Sequence, residues 1–340
     1  MAQDPSDLVL GAVVLVLAIA SVGTWFALAD RFKQGPLLRY ELRRPVPWHG
    51  IWTLLPILLV ALTVFAAMGG ADTADDDAAT SAHDLVDRLA LGSAQQTAFV
   101  VAFLAVVIAV SHATRADLGL PKSVRELVRD IWIGIVAWLA ALAPVYGMQY
   151  ALLSVFGPAK GHPLIKIVQE QADPTLFALA FAAAVVVAPI CEELMFRLLL
   201  QGWLEKWEDF QLGWRTPVVL LPIEVVEDAE VADSDATVTE ESLPVVPTLA
   251  VAEIAVPAEP PRIGVGGLPY GWLPIVLSSL LFALAHVGYG PDPVPLFLLA
   301  LILGYVYQRT HRIVPSMVAH ALFNGMSLFA LWRVMSAVAP

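Results

Sequence analysis

The chain has 340 residues, of which 58% are hydrophobic and 15% charged, with a formal net charge of −12. A soluble domain carries about 25% charged residues, so this composition excludes an ordinary water-facing surface. The negative balance also argues against nucleic acid as a partner, and one cysteine, Cys191, excludes an internal disulfide.

Spanning the hydrocarbon core takes about 20 apolar residues. In chain order, apolar segments lie at 8–29, 51–68, 96–111, 131–153, 175–200, 272–286, 294–308 and 314–332. The reading is an all-α, polytopic membrane protein with about eight transmembrane helices, in the plasma (inner) membrane. The first segment reads as a retained span. Asp4 and Asp7 precede it where a cleaved signal would carry Lys or Arg, although Ala27-Leu28-Ala29 resembles a cleavage site. The sixth and seventh segments are the short ones, and one of them is open to a partly re-entrant reading.

Four loops carry most of the basic residues: 31–47, 112–130, 201–271 and 309–313. They hold fourteen Lys and Arg against four (Arg88, Lys160, Lys166, Arg333) on the other side. The positive-inside rule makes the first set cytoplasmic and both termini non-cytoplasmic. An even number of spans agrees with this. The stretch 224–259 holds ten acidic residues and no basic one. With its prolines, it reads as a disordered insert occupying 216–271. The domain plan is then an N-terminal membrane region (1–174, four spans), a core (175–327) broken by that insert, and the end of the last span (328–340).

An ionisable side chain inside a span costs about 2.5–3.5 kcal/mol on insertion scales. Of seven histidines, His49, His83, His112, His162 and His311 fall in loops or at span ends and read as solvated. His286 and His320 fall in apolar context. Glu192 and Glu193 stand inside the fifth segment, followed by Arg197. On a helix, Glu193 and Arg197 share a face, so this pair neutralises itself. Glu192 points about 100° away and is left free for chemistry. Phe282 and His286 are four apart on the sixth segment, and His320 and Asn324 four apart on the eighth, so each pair shares a helical face. Convergence of these groups in one polar cavity is more economical than three separate burials. The helical rise puts them at unequal depths, which a kink at Pro189 or a re-entrant sixth segment would reconcile.

Glu192-Glu193-Leu-Met-Phe-Arg197, Phe282-Ala-Leu-Ala-His286 and His320-Ala-Leu-Phe-Asn324, in this order, resemble the motifs of the CPBP family. This family comprises the CAAX proteases and bacteriocin-processing enzymes, also called Abi. The resemblance covers 175–327 and implies a glutamate-dependent intramembrane endopeptidase acting on a membrane protein or peptide, in some members lipidated. In that scheme Glu192 activates water, His286 assists, and His320 and Asn324 hold the oxyanion. Glu193, Arg197 and Phe282 support them. No cofactor is implied. The nearest rival is a zinc enzyme using Glu192, His286 and His320 as ligands, although no His-Glu-x-x-His occurs. From a different class, a non-catalytic scaffold or a transporter also places charges inside a membrane. The acidic insert and the four N-terminal spans lie outside the motifs, so the substrate stays open between CAAX-type processing and bacteriocin-related processing or immunity.

Overall fold

The structure, a computed structural model, describes residues 5–68, 82–157, 174–214, 259–288 and 292–338. All eight apolar segments are helical. They are α1 (Pro5–Gln34), α2 (Leu54–Met68, entered through a 3-10 turn at Gly50–Thr53), α3 (Ala82–Ser111), α4 (Val124–Phe156), α5 (174–211), α6 (Trp272–Leu284), α7 (Pro293–Thr310) and α8 (Ile313–Val338). Among the described residues there is no strand, only an isolated bridge between Ile263 and Pro269. Among the described residues, six helices are long and apolar enough to cross a membrane. The two shorter ones are α2 and α6, so the second segment is short and the seventh is not, contrary to the expected assignment.

The centre of the bundle is α4, which packs against α1, α7 and α8. Its start is fixed by Ser123, whose side chain accepts the Glu126 N–H, while the Glu126 carboxylate reaches back to the Lys122 N–H. These contacts satisfy donors that a helix start leaves orphaned. Gly134 lets α8 approach closely: a Cβ there would sit 2.7 Å from the Pro315 carbonyl oxygen and from Val318 Cβ. Ala137, Ala141, Val145, Leu299, Leu303, Ala319 and Phe323 fill the seam between α4, α7 and α8. By contrast, α1 leans on α4 from outside. Ser21 and Trp25 donate to the Leu139 and Ala140 carbonyls, and most of its large apolar side chains stay exposed. That exposure fits a lipid-facing helix.

The fifth helix departs from the expected 175–200 span. It runs on to Gln211 and changes pitch twice. Pro174–Ala182, Ala188–Glu193 and Gly202–Gln211 are α-helical, and widened π turns occupy Ala183–Val187 and Leu194–Gln201. Its last portion carries three further buried carboxylates: Glu205, Glu208 and Asp209.

Those carboxylates meet loops at one end of the bundle. Glu41 N–H donates to the Arg309 carbonyl (2.8 Å) and Ile313 N–H to the Gly119 carbonyl (3.3 Å). Arg44 pairs with Asp117, and Arg312 with Asp130. The Glu208 carboxylate accepts the Val265 and Gly271 N–H groups, and the Tyr270 hydroxyl donates to Asp209. The four basic loops are therefore one packed face. The expected insert is shorter than 216–271, because 259–271 is fixed to α5 by these bonds. Its acidic part lies outside the described residues, apart from Glu259.

His311 corrects another expectation. It is not a solvated histidine but 5% exposed, with Nδ1 2.6 Å from the Glu41 carbonyl and Nε2 3.2 Å from Glu205. Burial, then the adjacent Arg43 guanidinium, hold its imidazole down to about 4, against the pull of Glu205. A base held below its usual value near 6.5 stabilises the fold above that value and loses the contribution as pH falls toward the folded one. Unfolding temperature is thus expected to drop between pH 6.5 and 4, at up to about 1.4 kcal/mol per pH unit from this group. Thermal unfolding in detergent should show a shallower drop for His311→Gln. Parallel wild-type and variant curves over that window would remove His311 as the cause.

Candidate active site

The Glu192-Glu193 pair lies at the end of the short α-helical stretch between the two π turns of α5. Widened turns of this kind are frequent at functional sites because they re-aim side chains within a continuous helix. Pro189, one turn before the pair, lacks the N–H that a regular helix uses. The helix around Pro189 is thus flanked by a pitch change on each side.

Glu193 and Arg197 are both 0% exposed and pair at 3.3 Å, as the four-residue spacing anticipates. Arg197 has no well-aligned hydrogen bond, but its guanidinium lies 5.2 Å from the centre of the Phe282 ring. A cation on an aromatic face is favoured most when desolvated. Phe282 is itself 0% exposed and also meets Phe196, His286 and His320, with ring centres 5.4, 4.9 and 5.6 Å away. It joins all three motifs.

His320, on α8, stands between the two glutamates. Its Nδ1 is 3.0 Å from Glu193 Oε1 and its Nε2 is 3.7 Å from Glu192 Oε2. The sequence spacing pairs His320 with Asn324 and leaves Glu193 to Arg197 alone. Its bond to Glu193 is a contact between distant helices that no local pattern reveals. A carboxylate only accepts, so this bond calls for a hydrogen on Nδ1. A neutral ring then presents a bare Nε2 to Glu192 Oε2, which has no hydrogen-bond partner.

The groups divide by exposure. Glu193, Arg197, Phe282 and His320 are buried, whereas Glu192, His286 and Asn324 are partly open. Glu192 keeps 20% of its side chain exposed. His286 sits just past the end of α6, whose 13 residues span only about 20 Å of a hydrocarbon core near 30 Å thick. Its Nδ1 lies 2.8 Å from the Phe282 carbonyl. Asn324 Nδ2 donates to the Ala184 carbonyl at 2.9 Å. Among the described residues, no three His, Cys, Asp or Glu side chains gather closely enough to hold a metal ion.

Residues 174–223 and 262–326 match the family model for type II CAAX prenyl endopeptidase, Rce1-like. The matched region belongs to the CPBP family. All seven motif residues fall inside it, and the match passes over 224–261, within which the whole acidic tract lies. No curated protein and no solved structure matches the chain. The protein is thus an integral, multi-pass membrane protein whose matched region is similar to a family of CAAX-type endopeptidases.

Proposed function

We propose that this CPBP-family protein hydrolyses a peptide bond of a membrane-associated protein or peptide, with Glu192 as the general base. The observation that carries this reading is the unequal state of the two glutamates. Glu193 is fully buried and neutralised by Arg197, while Glu192 is partly open and has an unbonded oxygen facing His320. In the proposed reaction Glu192, with His286 assisting, takes a proton from water, and the water oxygen attacks the scissile carbonyl carbon. In this reading Asn324, and His320 once its Nε2 carries a proton, support charge on the resulting oxyanion. The Asn324 amide uses one hydrogen on Ala184 and has a second. Breakdown returns the proton to the leaving nitrogen as the C–N bond breaks. The scheme routes no step through a metal.

The family name supports a prenylated CAAX peptide as the first substrate to test. Bacteriocin-related processing is the other substrate class to compare. The purified protein should cleave a farnesylated CAAX peptide faster than its unprenylated twin. Equal rates would reject the prenyl-directed reading, and no cleavage of either peptide or of a bacteriocin precursor would favour a scaffold.

The topology proposed here puts the packed face of basic loops in the cytoplasm and both termini outside it. Its support is the fourteen-to-four basic bias, together with the mutual contacts of those loops. Cysteines introduced at Arg39 and Arg115 should resist an impermeant thiol reagent in intact cells and react after lysis. Labelling of either in intact cells would invert the assignment.

A further inference from the structure

Asn324 makes a bond that the oxyanion role does not require. It donates to the backbone carbonyl of Ala184, inside the first π turn of α5. The sequence of α5 explains why that carbonyl is available. In the widened turn the Ala188 N–H reaches back five residues to the Ala183 carbonyl. The next donor in the same pattern would be residue 189, and its acceptor would be Ala184. Residue 189 is proline and has no N–H. The Ala184 carbonyl is thus deprived of its helical partner within the bundle, where an unsatisfied backbone group is costly. The amide of Asn324 takes the place of the missing N–H.

This bond also fixes α8 on the stretch that bears the glutamates. One turn earlier on α8, His320 holds Glu193 at the far end of that stretch. The two bonds clamp 184–193 from both ends. Pro189 lies between them, and so does Glu192. We infer that Asn324 is a positioning residue: its side-chain amide substitutes for the N–H that Pro189 lacks, and this holds Glu192 in its reactive placement. The inference rests on the proposed role of Glu192 only in its second clause.

Cys191 provides a readout that does not depend on activity. It is the protein's single cysteine, it precedes Glu192, and it is 2% exposed. Its modification by N-ethylmaleimide in detergent reports opening of the clamped stretch. Losing this hydrogen bond should raise that rate by about ten- to a hundred-fold in Asn324→Ala. The cleavage rate should fall through kcat, with KM little changed. Asn324→Gln keeps an amide donor and should stay within about threefold of wild type in labelling. Pro189→Ala restores a backbone N–H to the helix. The double variant Pro189→Ala/Asn324→Ala should therefore regain most of the protection that Asn324→Ala loses. If Asn324→Ala does not fold, the glutamine and double variants carry the test.

Wild-type labelling in Asn324→Ala, or a double variant as exposed as the single one, would overturn the clamp. Lost cleavage with unchanged Cys191 labelling would do so too, and would assign Asn324 to the substrate alone. If no variant cleaves, wild type included, while the labelling pattern holds, the proposed reaction fails and the clamp stands.

Discussion

Glu193→Gln is expected to destabilise the protein by about 3–5 kcal/mol, the cost of leaving one partner of a buried ion pair uncompensated. Two groups lose their partner at once. Arg197, 0% exposed, loses its paired carboxylate and keeps the Phe282 ring and the electrostatic pull of Glu192. His320 loses the carboxylate that orients Nδ1. Activity should fall with stability, because His320 then no longer presents a defined nitrogen to Glu192. Pairing predicts a non-additive cycle. The double variant Glu193→Gln/Arg197→Met removes both charges and should recover part of the stability lost by the single one. It should not recover activity, since His320 stays unoriented. Thermal unfolding in detergent measures the cycle. Additive losses would show that the pair contributes no coupling, and the geometric reason for singling out Glu192 would go with it.

Glu192→Gln is expected to behave in the opposite way. The amide keeps the shape and loses the basicity, so cleavage should fall by about 10²- to 10⁴-fold, the range for a general base. The unfolding temperature should stay near wild type, because Glu192 is 20% exposed and has no well-formed bond to lose. Glu192→Asp draws the carboxylate back by roughly one bond length, and a misplacement of about 1 Å is worth about 10²-fold. The aspartate variant should therefore retain a low rate above that of glutamine. Equal rates for the two would mean that basicity at this position is not what the reaction uses.

The helices were legible because a bilayer demands long apolar runs, and all eight segments are helical. The Glu193–Arg197 pair was legible for a similar reason: it is local, and helical spacing is enough to infer it. Three features were not legible. The pitch changes in α5 arise from how Pro189 and its neighbours settle against α8, and apolar periodicity does not record a π turn. The position of His320 between two carboxylates depends on the crossing of α5 and α8. The buried set of Arg43, Glu205, Tyr307 and His311 was hidden because each residue, read alone, belongs to a loop or a span end. Polar residues that pair across elements look solvated in the sequence. One signal was present: Glu205, Glu208 and Asp209 follow the apolar run with a spacing that continues the helix.

The most direct measurement compares purified wild type with Glu192→Gln on one farnesylated CAAX peptide, with a metal chelator present and products read by mass spectrometry. Wild type should give the two fragments of one cleavage, undiminished by the chelator, and Glu192→Gln none above background at equal folded concentration. Cleavage by the glutamine variant at the wild-type rate, or wild-type cleavage abolished by the chelator and restored by zinc, would contradict the proposed reaction.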